Sequence, residues 1–170
     1  MLAKKHHPFI FIINILLFFA VILLGDNGVL DFSIKNATPL FILPLLSAFA
    51  MFESFENSIV AGLLSGILVD GVTMGAFCFN AIVFVLLATF INLASNSLFN
   101  KNLKASIAVS FIVCFAYFTI YWLCYMTFGT GIKNSLIYLL EYGMPSALYS
   151  AVFVIPFYFL YRHFNKIKSS

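Results

Sequence analysis

Ser58-Ile59-Val60-Ala61-Gly62-Leu63-Leu64-Ser65-Gly66-Ile67-Leu68-Val69-Asp70 is the stretch from which the rest of the chain can be read. Ser58, Gly62, Gly66 and Asp70 recur every four residues, so on an α-helix they form one gently drifting face. Gly62 and Gly66 make a small-xxx-small pair that lets a second helix approach closely. Everything between them is aliphatic, apart from Ser65. A helix that is apolar around most of its circumference, with small residues on one face, belongs in a membrane or a deep core. Asp70 closes the face. An aspartate at the centre of a spanning helix costs roughly 2.5–3.5 kcal/mol on the insertion scale. At the end of the helix the cost is smaller, and such a residue is expected either to serve packing or to mark a contact site.

The composition around this stretch agrees. Of 170 residues, 63% are apolar and only 9% are charged. Soluble domains run near half apolar and a quarter charged, so this chain has too little polar surface to coat a water-facing shell. The net charge of +3 comes from nine basic and six acidic residues. The basic residues sit at chain ends and turns without a stripe, which argues against nucleic-acid binding. Cys78, Cys114 and Cys124 lie in apolar runs, and an odd number of them argues against a disulfide framework.

Six segments are apolar enough to be spans: 8–24, 38–52, 57–72, 76–98, 105–128 and 145–161. The second and third are short for the roughly 20 residues that a crossing needs. They are expected as thin spans or as a helical hairpin buried against its neighbours. Lys4, Lys5, His6 and His7 precede the first, but no small-residue cleavage pattern follows it, so it reads as a retained anchor. With both termini cytoplasmic and six spans, Lys4, Lys5, Lys101, Lys104, Arg162, Lys166 and Lys168 fall inside, and Lys35 and Lys133 outside. That obeys the positive-inside rule, and four spans would keep the same parity. Tyr117, Tyr121, Trp122 and Tyr125 are expected as interfacial anchors at the outer end of the fifth span. Residues 134–142 read as a short surface helix, and Pro156 should kink the last span. The whole is an all-α polytopic membrane protein forming a single transmembrane domain.

Chemistry finds little support. Gly62 to Gly66 resembles the Gly-x-Ser-Gly of rhomboid proteases with one residue too many, and the only candidate base, His163, lies beyond the last span. A nucleophile without a positioned base is not activated. An aspartyl intramembrane protease needs two membrane aspartates, and Asp70 is the one candidate. No zinc or nucleotide motif is present, so no catalytic residue, metal or cofactor is assigned. Thr89, Asn92 and Asn96 form a polar stripe on the fourth segment, with Asn14 comparable on the first. Such residues are expected to bond between helices, for about 0.6 kcal/mol each. The residues singled out for partner contact or helix packing are Ser58, Gly62, Gly66, Asp70, Gly75, Asn92 and Pro145.

The run from Gly62 to Asp70, then Gly75, then an apolar helix to the basic turn at Lys101 and Lys104, resembles the rod shape-determining protein MreD family. Met144-Pro145-Ser146-Ala147-Leu148-Tyr149 and Pro156, followed by Tyr161-Arg162, resemble its final helix and basic end. Many members carry Asn where this chain has Ser150. The resemblance covers roughly 59–104 and the last 25 or so residues. It implies a non-enzymatic component of the bacterial cell-elongation machinery (the elongasome) in the inner membrane. Such a protein would bind MreC and work beside MreB and the lateral-wall synthases in peptidoglycan synthesis and cell shape, without a cofactor. It also implies an architecture similar to the substrate-binding subunits of energy-coupling-factor vitamin transporters, which is the rival reading. Those subunits often carry an Ala motif on the first helix, where this chain has only Ala20.

Overall fold

A computed structural model describes residues 8–26, 40–73, 78–97, 102–126 and 139–169. Lys4, Lys5, His6, His7, Lys35, Gly75, Lys101 and Lys133 lie outside them, as do residues 27–37 and 129–138, where loops and the start of a surface helix are expected. Every element among the described residues is helical. They are α1 (Pro8–Asp26), α2 (Ile42–Phe52), α3 (Phe55–Thr73), α4 (Phe79–Ser97), α5 (Leu103–Tyr121), α6 (Met144–Val152) and α7 (Val154–Ser169). A π-helical turn, Trp122–Met126, extends α5, and a second, Leu139–Gly143, leads directly into α6.

The organising element is the shortest of the long apolar segments. α2 has eleven residues and all of them are buried. At 1.5 Å per residue it rises about 16 Å, roughly half of a hydrocarbon core of about 30 Å. The helix expected over 38–52 is therefore short for a crossing and stands as a central post. Its sequence, apolar on every side but for Ser47, whose hydroxyl donates to the Pro44 carbonyl, is what a helix needs when it has neighbours all round. α1, α3, α4, α5, α6 and α7 all pack against it. Phe49 meets Phe18 of α1 and Tyr161 of α7, with ring centroids 5.7 and 5.6 Å apart. Pro44 falls in the first turn of α2, where a missing N–H breaks no helical bond.

Among the described residues, four helical stretches are long and apolar enough to cross a membrane: Phe55–Val72, Phe79–Asn96, Leu103–Cys124 and Leu139–Lys166. The polarity of the bundle is inside-out. Ile82, Leu86, Phe90 and Leu93 of α4 and Val60, Leu63 and Ile67 of α3 are exposed. Ser58, Ser65, Asp70, Asn80, Asn92, Ser106 and Ser110 are buried. Water would reverse that arrangement; lipid favours it, because only there do apolar residues belong outside.

One detail differs from the expectation for the last segment. Residues 139–142 are part of the helical turn that feeds α6, not a separate element. The helix then breaks at Phe153, whose N–H bonds Ser150 at 3.0 Å. Pro156 explains the position: it has no N–H for the Val152 carbonyl, and its ring crowds that same carbonyl.

Candidate functional site

α3 and α4 form an antiparallel hairpin, the most closely packed pair of elements in the bundle. The four-residue pattern on α3 is its seam. A Cβ placed on Gly66 would lie 2.3 Å from the Ala81 Cα, and one on Gly62 would lie 2.8 Å from the Phe84 carbonyl oxygen. Both obstacles are backbone, which has no rotamer with which to escape. Hydrogen in place of a side chain at these two positions is therefore what lets the helices touch.

At one end of the seam Asp70 reaches across to the start of α4. Its Oδ1 accepts the Asn80 backbone N–H at 3.0 Å and the Asn80 side-chain amide at 2.8 Å. Its Oδ2 accepts the Ala81 N–H at 3.1 Å. The first N–H groups of a helix have no partner within it. An ordinary helix satisfies them with its own N-cap side chain; here an aspartate from the preceding helix does so. The local reason is Cys78, which precedes α4 with a φ of 65°. A thiol is a weak acceptor, so the carboxylate comes from across the turn, and its negative charge complements the positive end of the α4 dipole. Asn80 carries the network further: its Oδ1 accepts the Tyr117 hydroxyl at 2.8 Å, linking α5 to the hairpin.

The other end of the seam is tied by Asn92. Its amide donates to the carbonyls of Ala50 and Glu53, both at 3.0 Å, and to the Ser58 hydroxyl at 3.2 Å. The Ser58 hydroxyl in turn donates to the Ser54 carbonyl at 2.8 Å. Asn92 thereby caps the C-terminal end of α2 and the turn into α3. The opposite end of α2 is tied by Ser150, whose Oγ accepts the Leu40 N–H at 2.9 Å and donates to the Ser146 carbonyl at 2.7 Å. A fully buried helix cannot leave its terminal groups to water; Asn92 satisfies carbonyls at the C-terminal end of α2, and Ser150 pins the residue that leads into its N-terminal end.

Of the residues singled out from sequence, Ser58, Gly62, Gly66, Asp70 and Asn92 all lie along this one seam. Pro145 does not: it is exposed near the start of α6. Thr89 bonds its own helix, at the Val85 carbonyl, and the Asn96 amide bonds Asn92 within α4. Asn14 is buried and lines a small apolar crevice with Phe18, Phe49, Ala61 and Leu68. Tyr117 departs from its expected role as an interfacial anchor: it is buried against Phe84 and donates to Asn80. Asn80 and Ser150 were not anticipated as site residues. Asn80 carried a signal, since an Asn in the first turn of a helix close behind an intramembrane Asp is a natural hydrogen-bond pair.

Chemically the seam is a set of satisfied bonds. Among the described residues, the donors to the Asp70 carboxylate come from the start of α4. Among the described residues no group of three His, Cys, Asp or Glu side chains is placed to hold a metal ion.

No protein-family model, curated protein or solved structure matches the chain. The fold and the seam define a class: an all-helical protein, built like a membrane protein, in which a half-length buried helix and a glycine-seamed hairpin are locked by buried polar side chains.

Proposed function

We propose that the chain is a non-enzymatic component of the bacterial cell-elongation machinery of the MreD kind. It would reside in the cytoplasmic membrane with both termini inside, bind MreC, and through it help to organise MreB-guided synthesis of the lateral wall. The supporting observation is that the residues carrying the resemblance, Gly62, Gly66 and Asp70, are those on which the α3–α4 hairpin is built. A signature spent on fixing one helix against another suits a scaffold, whose product is a rigid surface. The outward faces of α4, with Ile82, Leu86, Phe90 and Leu93, and of α3, with Val60, Leu63 and Ile67, are left for a partner helix or for lipid.

The test is a mild-detergent pull-down of the tagged chain from its native membrane, with mass spectrometry of what comes with it. Recovery of MreC and wall-elongation enzymes is expected. Recovery of a membrane coupling subunit with two ATPases would replace this reading with that of a vitamin-binding transporter subunit.

A further inference from the structure

α7 presents two chemically distinct faces. Val154, Tyr158 and Tyr161 are buried, and the two tyrosines pack on α2, with Tyr158 5.4 Å from Phe52 and Tyr161 5.6 Å from Phe49. Glu53, which interacts electrostatically with Tyr161, belongs to that same side. On another face, Phe159, Arg162, His163 and Lys166 follow one another at i, i+3, i+4 and i+7 and line a shallow surface depression. Phe159, Arg162, His163 and Lys166 are all exposed. α7 contains no acidic residue.

The place of this group along the bundle is set by its neighbours. Phe49 and Phe52 occupy the last two turns of α2, which ends at the polar Glu53 and Ser54. Arg162 follows directly after Tyr161, so the cations begin where the buried post gives way to polar chain. Above them Phe159 continues an apolar, outward-facing surface. An exposed aromatic ring with basic side chains one turn below it matches one ligand: a lipid with an anionic headgroup.

We infer that Phe159, Arg162, His163 and Lys166 form a binding site for an anionic phospholipid, with the headgroup phosphate held by the basic side chains and an acyl chain laid along Phe159. Arg supplies a planar fork suited to phosphate oxygens, and Lys a point charge. The site rests on the membrane-spanning reading of the chain. A chain that fails to insert into liposomes removes that reading, whereas an inserted chain without lipid preference removes only this site.

The experiment is native mass spectrometry of the full-length chain in mild detergent, titrated with phosphatidylglycerol and, separately, phosphatidylcholine. Phosphatidylglycerol adducts are expected to dominate. The double variant Arg162→Gln/Lys166→Gln should lose about fivefold in affinity for each charge removed, as expected for basic residues at an anionic surface. Lys104→Gln, on α5, should keep the wild-type preference. Equal binding of the two lipids, or an equal loss in the Lys104 variant, overturns the site. Glycerol 3-phosphate should not displace the lipid, because it lacks the chain that Phe159 contacts; displacement at comparable concentration would make this a free-phosphate site. A photoreactive phosphatidylglycerol on the unmodified chain gives a readout that needs no variant. Its label should fall within 159–166, and labelling confined to other helices overturns the site.

Discussion

Asp70 and Asn80 are joined twice, through the backbone N–H of Asn80 at 3.0 Å and through its side-chain amide at 2.8 Å, both to one carboxylate oxygen. A residue on the last turns of one helix thus supplies the missing N-cap of the next. Because Asn80 also accepts from Tyr117, the same contact holds three helices in register.

Removing the cap should be costly. Asp70→Ala leaves the buried Asn80 and Ala81 N–H groups without an acceptor, and a cap deletion costs about 0.5–2 kcal/mol. Asp70→Asn keeps one acceptor oxygen and should lose less. Denaturant titration of the detergent-solubilised protein measures both, with the order wild type, Asn, Ala expected. Equal stability of all three would remove Asp70 from its capping role.

Three glycines on α3 provide a graded test. Gly66→Ala drives a methyl into the Ala81 backbone, and Gly62→Ala drives one into the Phe84 carbonyl. Both should separate the hairpin, at a cost of about 1–3 kcal/mol for an overpacked site. Gly71→Ala meets nothing within 4 Å; it should instead gain up to about 1 kcal/mol, the helix-propensity difference between the two residues. Thermal unfolding midpoints should therefore rank Gly71→Ala above wild type, and Gly66→Ala at the bottom. A stabilised Gly66 variant would contradict the seam.

Asn92→Leu deletes the donors to Ala50, Glu53 and Ser58. The loss is local to the end of α2, so hydrogen exchange is the better probe. Amides across 50–58 should exchange faster, while those in the middle of α5 should not. The expected cost is about 1–3 kcal/mol, that of leaving buried acceptors unpaired. Unchanged protection across the turn would mean that Asn92 ties nothing there.

Ser150→Ala should act at the other end of the same helix. It releases the Leu40 N–H and should speed exchange at the start of α2, leaving the Asn92 end protected. Ser150→Asn keeps an acceptor at this position and should restore part of the protection. Equal effects at both ends of α2 would show that the helix unfolds as one unit and that the two ties are not independent.

Cysteine access offers a check on α5. Cys114 is buried at the contact with the rest of the bundle, and Cys124, beyond the helix proper, is exposed. A maleimide in detergent should modify Cys124 first. Comparable rates at the two thiols would mean that α5 is rotated from the position described here.

The helical class and the apolar exterior were legible in the residues alone, because composition and hydropathy report directly on the solvent a chain prefers. So was the seam. A four-residue recurrence of Ser58, Gly62, Gly66 and Asp70 can only be one face of a helix, and small residues on such a face foretell close approach. The target of that face was not legible: Gly66 meeting Ala81 depends on how two helices register, and no property of α3 encodes it. Tyr117 shows the same limit. An aromatic near the end of an apolar segment suits an interface or a buried hydrogen bond equally well, and only the position of Asn80 decides between them.

Taken by itself, the sequence determined where the helices lie, that their outer surfaces suit lipid, and that one face of the third carries small residues ending in an acid. Tertiary structure alone decided that 42–52 is a buried half-length post and that Asp70, Asn92 and Ser150 serve helices other than their own. The physical reason is range. Periodicity and hydropathy are properties of neighbouring residues, while satisfying the ends of a buried helix is a demand met by whichever side chain the packing brings near, and Ser150 lies 110 residues from the Leu40 amide that it holds.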